Sequence, residues 1–230
     1  KLPVKLFGIG PMFRRERPQK GRFRQFNQMN FEILGTYDTL ADVELIILAK
    51  EILKFILPNK EFKVQINSLG DRDTLKSFKF KLSSFFNKYK NSLSEDSKNK
   101  IDTNPLRILD SKDSKDINIS KNAPSIKDLY SKEAQEKFED VQNLLTKTNV
   151  PFIINNGLVR GLDYYCHTVF EFKTNSLGVQ DTLIGGGRYD GLVKKIGGPD
   201  LPGVGFAGGI DRIMMLMADP SIALIKNQLI

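Results

Sequence analysis

Apolar and polar positions change their period several times along the chain. Val4 to Ile9 is short, mostly apolar and broken at Gly10-Pro11, which predicts a strand and a stop. Phe23, Gln25, Asn27, Met29, Phe31 and Ile33 alternate with Arg24, Phe26, Gln28, Asn30, Glu32 and Leu34. That period of two predicts a second strand. Between them, Arg17-Pro-Gln-Lys-Gly21 has the Pro and Gly of a turn, so the two halves predict a β-hairpin with a long basic loop. Asp38 or Thr39 can cap a helix running to about Leu57, with Leu40, Val43, Ile47 and Leu48 on one side and Pro58 ending it. Phe62 to Ile66 alternates as a strand.

After Leu69-Gly70 the composition shifts to Lys, Asp, Ser and Asn. Residues 71–148 predict several amphipathic helices, the clearest from about Lys132 to Thr148, where Phe138, Val141, Leu144 and Leu145 fall on one face. Strand signals return at Phe152–Ile154, Tyr164–Phe172 and Val179–Gly185. Arg188 to Ile196 can form a short helix, Gly203 to Gly209 a buried strand, and Ile210 to Ala218 an apolar helix. The pattern predicts an α+β fold, a mainly antiparallel sheet flanked by helices. It also predicts a core of residues 1–70 and 149–230 interrupted by a helical insertion at 71–148.

Composition narrows the class. The chain is 40% hydrophobic over 230 residues, as a globular domain with a sizeable core requires. The most apolar stretch, Leu45 to Leu57, is broken by Lys50, Glu51 and Lys54, so no run reaches the roughly 20 residues that span a bilayer. Nothing at the start resembles a secretory signal, and a cytoplasmic protein is expected. The first residue is Lys1, not methionine, and both ends read as cuts within a longer protein. A net charge of +8 favours an anionic partner without separating nucleic-acid binding from a lysine-rich solvated surface. Cys166 is the single cysteine, which argues against a disulfide framework and a cysteine-based zinc site. His167 is the single histidine, and neighbours on a strand point to opposite faces. Any metal is therefore expected on oxygen ligands, as Mg²⁺ is, largely through a bound phosphate.

Three clusters can carry chemistry. The first runs from Gly10 to Glu32 and holds Arg14 and Arg22 flanking the basic loop. Guanidinium groups fork onto phosphate oxygens and stay charged when partly buried. Charge alone does not separate that role from a solvated basic hairpin. Gln28 and Glu32, sharing a strand face with Arg24 and Phe26, favour the floor of a polar ligand site. The second is Leu158-Val-Arg-Gly-Leu-Asp-Tyr-Tyr165, which puts a guanidinium and a phenol at one strand edge. The third joins Gly185-Gly-Gly-Arg-Tyr-Asp190 to Gly203-Val-Gly-Phe-Ala-Gly-Gly-Ile-Asp-Arg212. Its glycines admit either a ligand against the backbone or tight sheet–helix packing. The bare Gly-x-Gly-x-x-Gly at Gly203 lacks the acidic residue of a dinucleotide site.

These clusters carry a resemblance. Phe13-Arg-Arg-Glu16 with its basic loop resembles motif 2 of class II aminoacyl-tRNA synthetases, and Gly209-Ile-Asp-Arg212 resembles motif 3. Leu158 to Tyr165 and Gly186 to Asp190 resemble the two histidine signatures of histidyl-tRNA synthetases. Asn27, Asn30 and Asp211 depart from the commoner His, Gly and Glu beside these motifs. The resemblance implies a class II catalytic core that makes histidyl-adenylate from L-histidine and ATP, then loads tRNA(His). It implies Mg²⁺ on the ATP phosphates and a homodimer, with 71–148 as the family's insertion domain. By position, Arg14 and Arg160 are the catalytic arginines, holding the α-phosphate from two sides. Arg14, Glu16, Arg22, Phe26 and Arg212 bind ATP, and Gln28, Glu32, Arg160, Tyr165 and Tyr189 bind histidine. Motif 1 and the anticodon-binding domain are not in the sequence, so the isolated chain is expected to be poorly active. Two other classes compete: a regulatory paralogue that binds histidine without charging tRNA, and a plain RNA-binding module. Retention of the basic loop and of Arg160 to Tyr165 speaks against the first, and Glu32 with Tyr165 against the second.

Overall fold

The computed structural model describes residues 1–15, 23–175 and 182–217. Within them the alternating segments form one sheet: β1 (Val4–Phe13), β2 (Gln25–Leu34), β3 (Lys63–Ser68), β4 (Ile153–Ile154), β5 (Cys166–Lys173), β6 (Thr182–Arg188) and β7 (Gly203–Gly209). The spatial order is β1-β2-β7-β6-β5-β3-β4, and every pair is antiparallel except the short β3–β4 contact. The expected α+β fold and mainly antiparallel sheet are present. β1 does not stop at Gly10-Pro11 but pairs through Phe13 with Gln25. As the edge strand it tolerates a proline that a central strand would not. The tip of the basic loop, with Glu16 and Arg22, and the expected strand start at 179–181 lie outside the described residues.

α1 (Thr39–Ile56) begins where the sequence placed it, because the Asp38 carboxylate accepts from the Leu40 amide at 2.9 Å. The buried face differs from the expected one. Ala41, Val43, Leu45, Ile46, Ala49 and Leu53 are buried, whereas Leu40 is 56% exposed. α1 is apolar on most sides, so spacing alone points its face poorly. The remaining α-helices among the described residues are α2 (Arg72–Lys88), α3 (Glu95–Lys98), α4 (Leu106–Leu109), α5 (Ser114–Ser120), α6 (Lys132–Lys147), α7 (Leu192–Lys195) and α8 (Ile210–Met217).

The sheet has two unlike faces. One packs Ile33, Phe170, Phe172, Val204 and Phe206 against α1, α6 and α8. The other carries a second cluster, in which Leu82, Phe86, Ile101, Ile108 and Ile126 of the helical segment meet Leu158, Val159, Tyr165, Val169 and Tyr189. Thus α6, the most regular helix of the 71–148 stretch, docks beside α1, while α2 to α5 gather on the opposite side. Asp116 knots that segment together: its buried carboxylate accepts from the Ser94 amide and from the hydroxyls of Ser94, Ser97 and Ser111 at 2.6–2.9 Å.

A buried ionic node locks α1 to the end of β6. Arg188 bonds both oxygens of Asp42, the Thr36 and Asp38 carbonyls, and Asp190 Oδ1 at 3.3 Å. Asp42 is fully buried and Arg188 nearly so. Removing either partner would leave a buried charge uncompensated.

Candidate active site

The face opposite α1 is built by omission of side chains. Register sets Glu32 beside Gly205, Gly205 beside Gly187, and Gly187 beside Val169. The next row runs Asn30, Ala207, Gly185, Glu171. Side chains from the rim lie flat over these glycines. A Cβ on Gly185 would come within 2.5–2.8 Å of the Arg160 guanidinium. One on Gly205 would strike the Glu32 carboxylate, one on Gly203 the Tyr189 ring, and one on Gly187 would meet the Tyr165 ring at 3.0 Å. Gly186 and Gly208 point the other way, against Phe170, Phe206 and Met29. Both readings of the glycines therefore hold, at alternate positions.

At one end of this face the Tyr189 hydroxyl donates to Glu32. The rings of Tyr164 and Tyr165 lie 4.7 Å apart, and both stand edge-on to Tyr189 at 6.1 and 6.5 Å. Burial pushes the Glu32 pKa up, only partly offset by the Tyr189 bond. Burial, then the Glu32 carboxylate, push the Tyr189 phenol well above its ordinary value, so Tyr189 stays a donor. A half-buried carboxylate among phenols suits a flat polar ring that carries an N–H.

In the middle, the Arg160 guanidinium ion-pairs with Glu171 and sits 5.8 Å from the Tyr165 ring. Arg160 Nε is buried without a hydrogen-bond partner among the described residues. Glu171 also accepts from the Thr182 hydroxyl at 3.1 Å, and the Thr182 carbonyl accepts from Arg212 at 2.7 Å. One polar chain thus connects the two arginines. At the far end the Arg14 guanidinium stacks 4.0 Å over the Phe26 ring, and its Nε donates to the Phe23 carbonyl. Gln28 lies between the ends and donates to Asn30 at 2.6 Å. Phe26 to Glu32 spans about 20 Å of strand, long enough for an amino acid and a nucleotide end to end.

The structure therefore gathers Glu32, Tyr165 and Tyr189 at one end with Arg160 next to them in the middle, and sets Gln28 and Phe26 along β2 towards the far end, where Arg14 stacks on Phe26. Arg212 stands at the side, where Asp211 anchors α8 by accepting from the Asn27 amide at 2.6 Å. Glu16 and Arg22 lie outside the described residues. Sequence reasoning missed Glu171 and Arg188. Arg188 is bonded to Asp42, 146 positions away, and only the alternation of β5 hinted that Glu171 shares the Gly185 face.

One expectation is overturned. Cys166 and His167 do not diverge: Cys166, His167 and Asp190 each bring a ligand atom within 4.8 Å of the other two. The pairing slips between Cys166 and Val169, and His167 adopts φ 47°, so the alternation of a regular strand fails there.

An antiparallel sheet backed by helices, with an acid–phenol pocket at one end and arginines along the open face, is the architecture of a class II aminoacyl-tRNA synthetase core. The family model of histidyl-tRNA synthetase matches residues 87–213. The chain is 56% identical to the histidine–tRNA ligase of Wolbachia pipientis wMel over 217 residues, covering 94% of this chain and 53% of that protein. It is 50% identical to the Ehrlichia ruminantium (strain Gardel) ligase, covering 94% and 52%. The apo structure of S. aureus histidyl-tRNA synthetase superposes with a TM-score of 0.75 at 32% identity, over 96% of this chain and 53% of that one. This chain belongs to the histidyl-tRNA synthetase family. It spans about half the length of the curated relatives it matches.

Proposed function

We propose that this chain carries the histidine-activating centre of a histidine–tRNA ligase. The observation that carries the reading is the convergence of Glu32, Tyr165, Tyr189 and Arg160 on one glycine floor. The imidazole lies between Glu32 and the phenols of Tyr165 and Tyr189, and Gln28 takes the α-amino group. The substrate carboxylate then faces the Arg160 guanidinium, which is paired to Glu171. A carboxylate oxygen attacks the α-phosphorus of ATP and pyrophosphate leaves. Two anions meet in that step, so Arg14 and Arg160 supply the charge stabilisation it needs most. A terminal hydroxyl of tRNA(His) next attacks the activated carbonyl and AMP leaves. Glu171 holds Arg160 in place. Phe26 and Arg212 sandwich the adenine, Glu16 reads its amino group, and Arg22 and Arg212 grip the outer phosphates.

Mg²⁺ is held mainly by the ATP phosphates, in keeping with site-face carboxylates that are bonded to Tyr189 and Arg160. Residues 1–70 and 149–230 act as the core and 71–148 as the insertion that grips the tRNA. The exposed apolar Leu6, Phe7, Ile9 and Phe13 of edge strand β1 support a homodimer. No helix among the described residues is long and apolar enough to cross a membrane, consistent with work in the cytoplasm.

The test is histidine-dependent ATP–pyrophosphate exchange in the full-length protein, compared with Arg160→Ala. Loss of a preorganised donor of this kind costs roughly 10²–10³-fold. Unchanged exchange in Arg160→Ala, or exchange indifferent to histidine, overturns the reading. Residues 1–230 alone should exchange poorly.

A further inference from the structure

The cluster of Cys166, His167 and Asp190 stands apart from the substrate residues just assigned. Its three ligand atoms lie within 4.8 Å of one another. The backbone is bent to bring them there. The His167 amide donates to the Gly70 carbonyl at 2.7 Å, and its carbonyl accepts from the Leu69 amide at 2.8 Å. These bonds hold a non-glycine residue at φ 47°, a conformation that recurs where local strain serves a site. His167 Nδ1 is buried with no hydrogen-bond partner among the described residues. Asp190 Oδ1 accepts from Arg188 at 3.3 Å and from the Gly203 amide at 3.1 Å, which fixes the carboxylate as an outer-shell partner fixes a ligand. A cavity of about 690 Å³, lined by Asp71, Arg72, Asp73, Glu133 and Lys137 as well as the three residues, gives an entry path and room for a water.

We propose that Cys166, His167 and Asp190 form a binding site for a divalent transition-metal ion of the zinc class. One thiolate, one imidazole and one carboxylate, with a fourth position open to the cavity, suit a borderline ion that accepts tetrahedral ligands. A hard ion such as Mg²⁺ would prefer oxygen alone. The His167 imidazole offers a ring nitrogen, Nδ1, that is buried with no other partner among the described residues. The metal displaces the Cys166 thiol proton to solvent as the sulfur–metal bond forms. Cys166 and Asp190 directly follow Tyr165 and Tyr189 in the chain, so the ion clamps the two strand ends that carry those rings.

The test uses Co²⁺ as a spectroscopic stand-in for Zn²⁺, added to chelator-treated full-length protein. The expected result is one equivalent bound, with a thiolate-to-cobalt charge-transfer band that Zn²⁺ abolishes. The band should vanish in Cys166→Ser. Co²⁺ affinity should fall at least about tenfold in Asp190→Asn and His167→Asn, since even outer-shell losses cost that much. Asparagine tolerates positive φ, so His167→Asn keeps the backbone and decides the question if Cys166→Ser does not fold. No charge-transfer band in the wild type, a band surviving Cys166→Ser, or unchanged affinity in His167→Asn overturns the proposal. Absorbance reads metal directly, so its outcome is independent of whether histidine is activated.

Discussion

The Tyr189 hydroxyl donates to the Glu32 carboxylate across 157 positions of sequence, above the bare peptide of Gly203 and Gly205. A hydrogen bond to a charged group contributes about 1.5–3 kcal/mol. Tyr189→Phe should therefore raise the KM for histidine by roughly tenfold to a hundredfold in pyrophosphate exchange, with kcat changed much less. An unaltered KM would mean that this bond does not shape the histidine pocket.

Gly205→Ala tests the floor itself. The added methyl meets the Glu32 carboxylate, which can swing aside because it ends a flexible side chain. The variant should fold, with a melting temperature only a few degrees lower, yet lose the thermal shift that histidine gives the wild type. A full histidine shift in Gly205→Ala would show that Glu32 need not lie over the floor.

Asp42→Ala should cost about 3–5 kcal/mol in urea unfolding, because it strands the Arg188 guanidinium in the core. The double variant Asp42→Leu with Arg188→Met removes both charges and should recover much of that loss. Equal destabilisation of the single and double variants would argue that packing, not charge, dominates the node.

Asp116 gives a pH dependence of defined sign. Burial alone would raise its pKa, but hydrogen bonds from Ser97, Ser94 and Ser111 outweigh it and hold the carboxyl at about 2. A carboxylate depressed from 3.8 to about 2 contributes stability that is fully present above pH 3.8 and lost as pH falls through 2. The contribution is about 2 kcal/mol. Asp116→Ala should lower stability by about 2–4 kcal/mol at pH 7 and flatten the stability curve between pH 4 and 2. A wild-type slope persisting in the variant would place the acid sensitivity elsewhere.

Much of the fold was legible because sheet and helix periods are written locally. β7 occupies the expected Gly203–Gly209, and α1 starts at the expected cap. The even-numbered face of β2, from Phe26 to Glu32, followed from alternation alone. What stayed hidden depends on partners far away in sequence. Nothing around Arg188 announces Asp42, and nothing around Arg160 announces that Glu171 will hold it. The slip at His167 is set by pairing with β6 on one side and by Leu69 and Gly70 on the other. A rule about neighbouring side chains could not foresee it. The face of α1 escaped because small Ala41 and Ala49 are buried alongside Ile46 and Leu53, while larger Leu40 is left outside.

At Gly185 to Gly187 the sheet is reduced to a single peptide layer, touched by Arg160 in front and by Phe170 and Phe206 behind. A small molecule seated over that layer would meet the side chains already laid across it, Arg160 first. Any mutation that blocked it by adding bulk would displace Arg160 or disturb the aromatic backing at the same stroke. Resistance through those positions would forfeit the very geometry an inhibitor exploits.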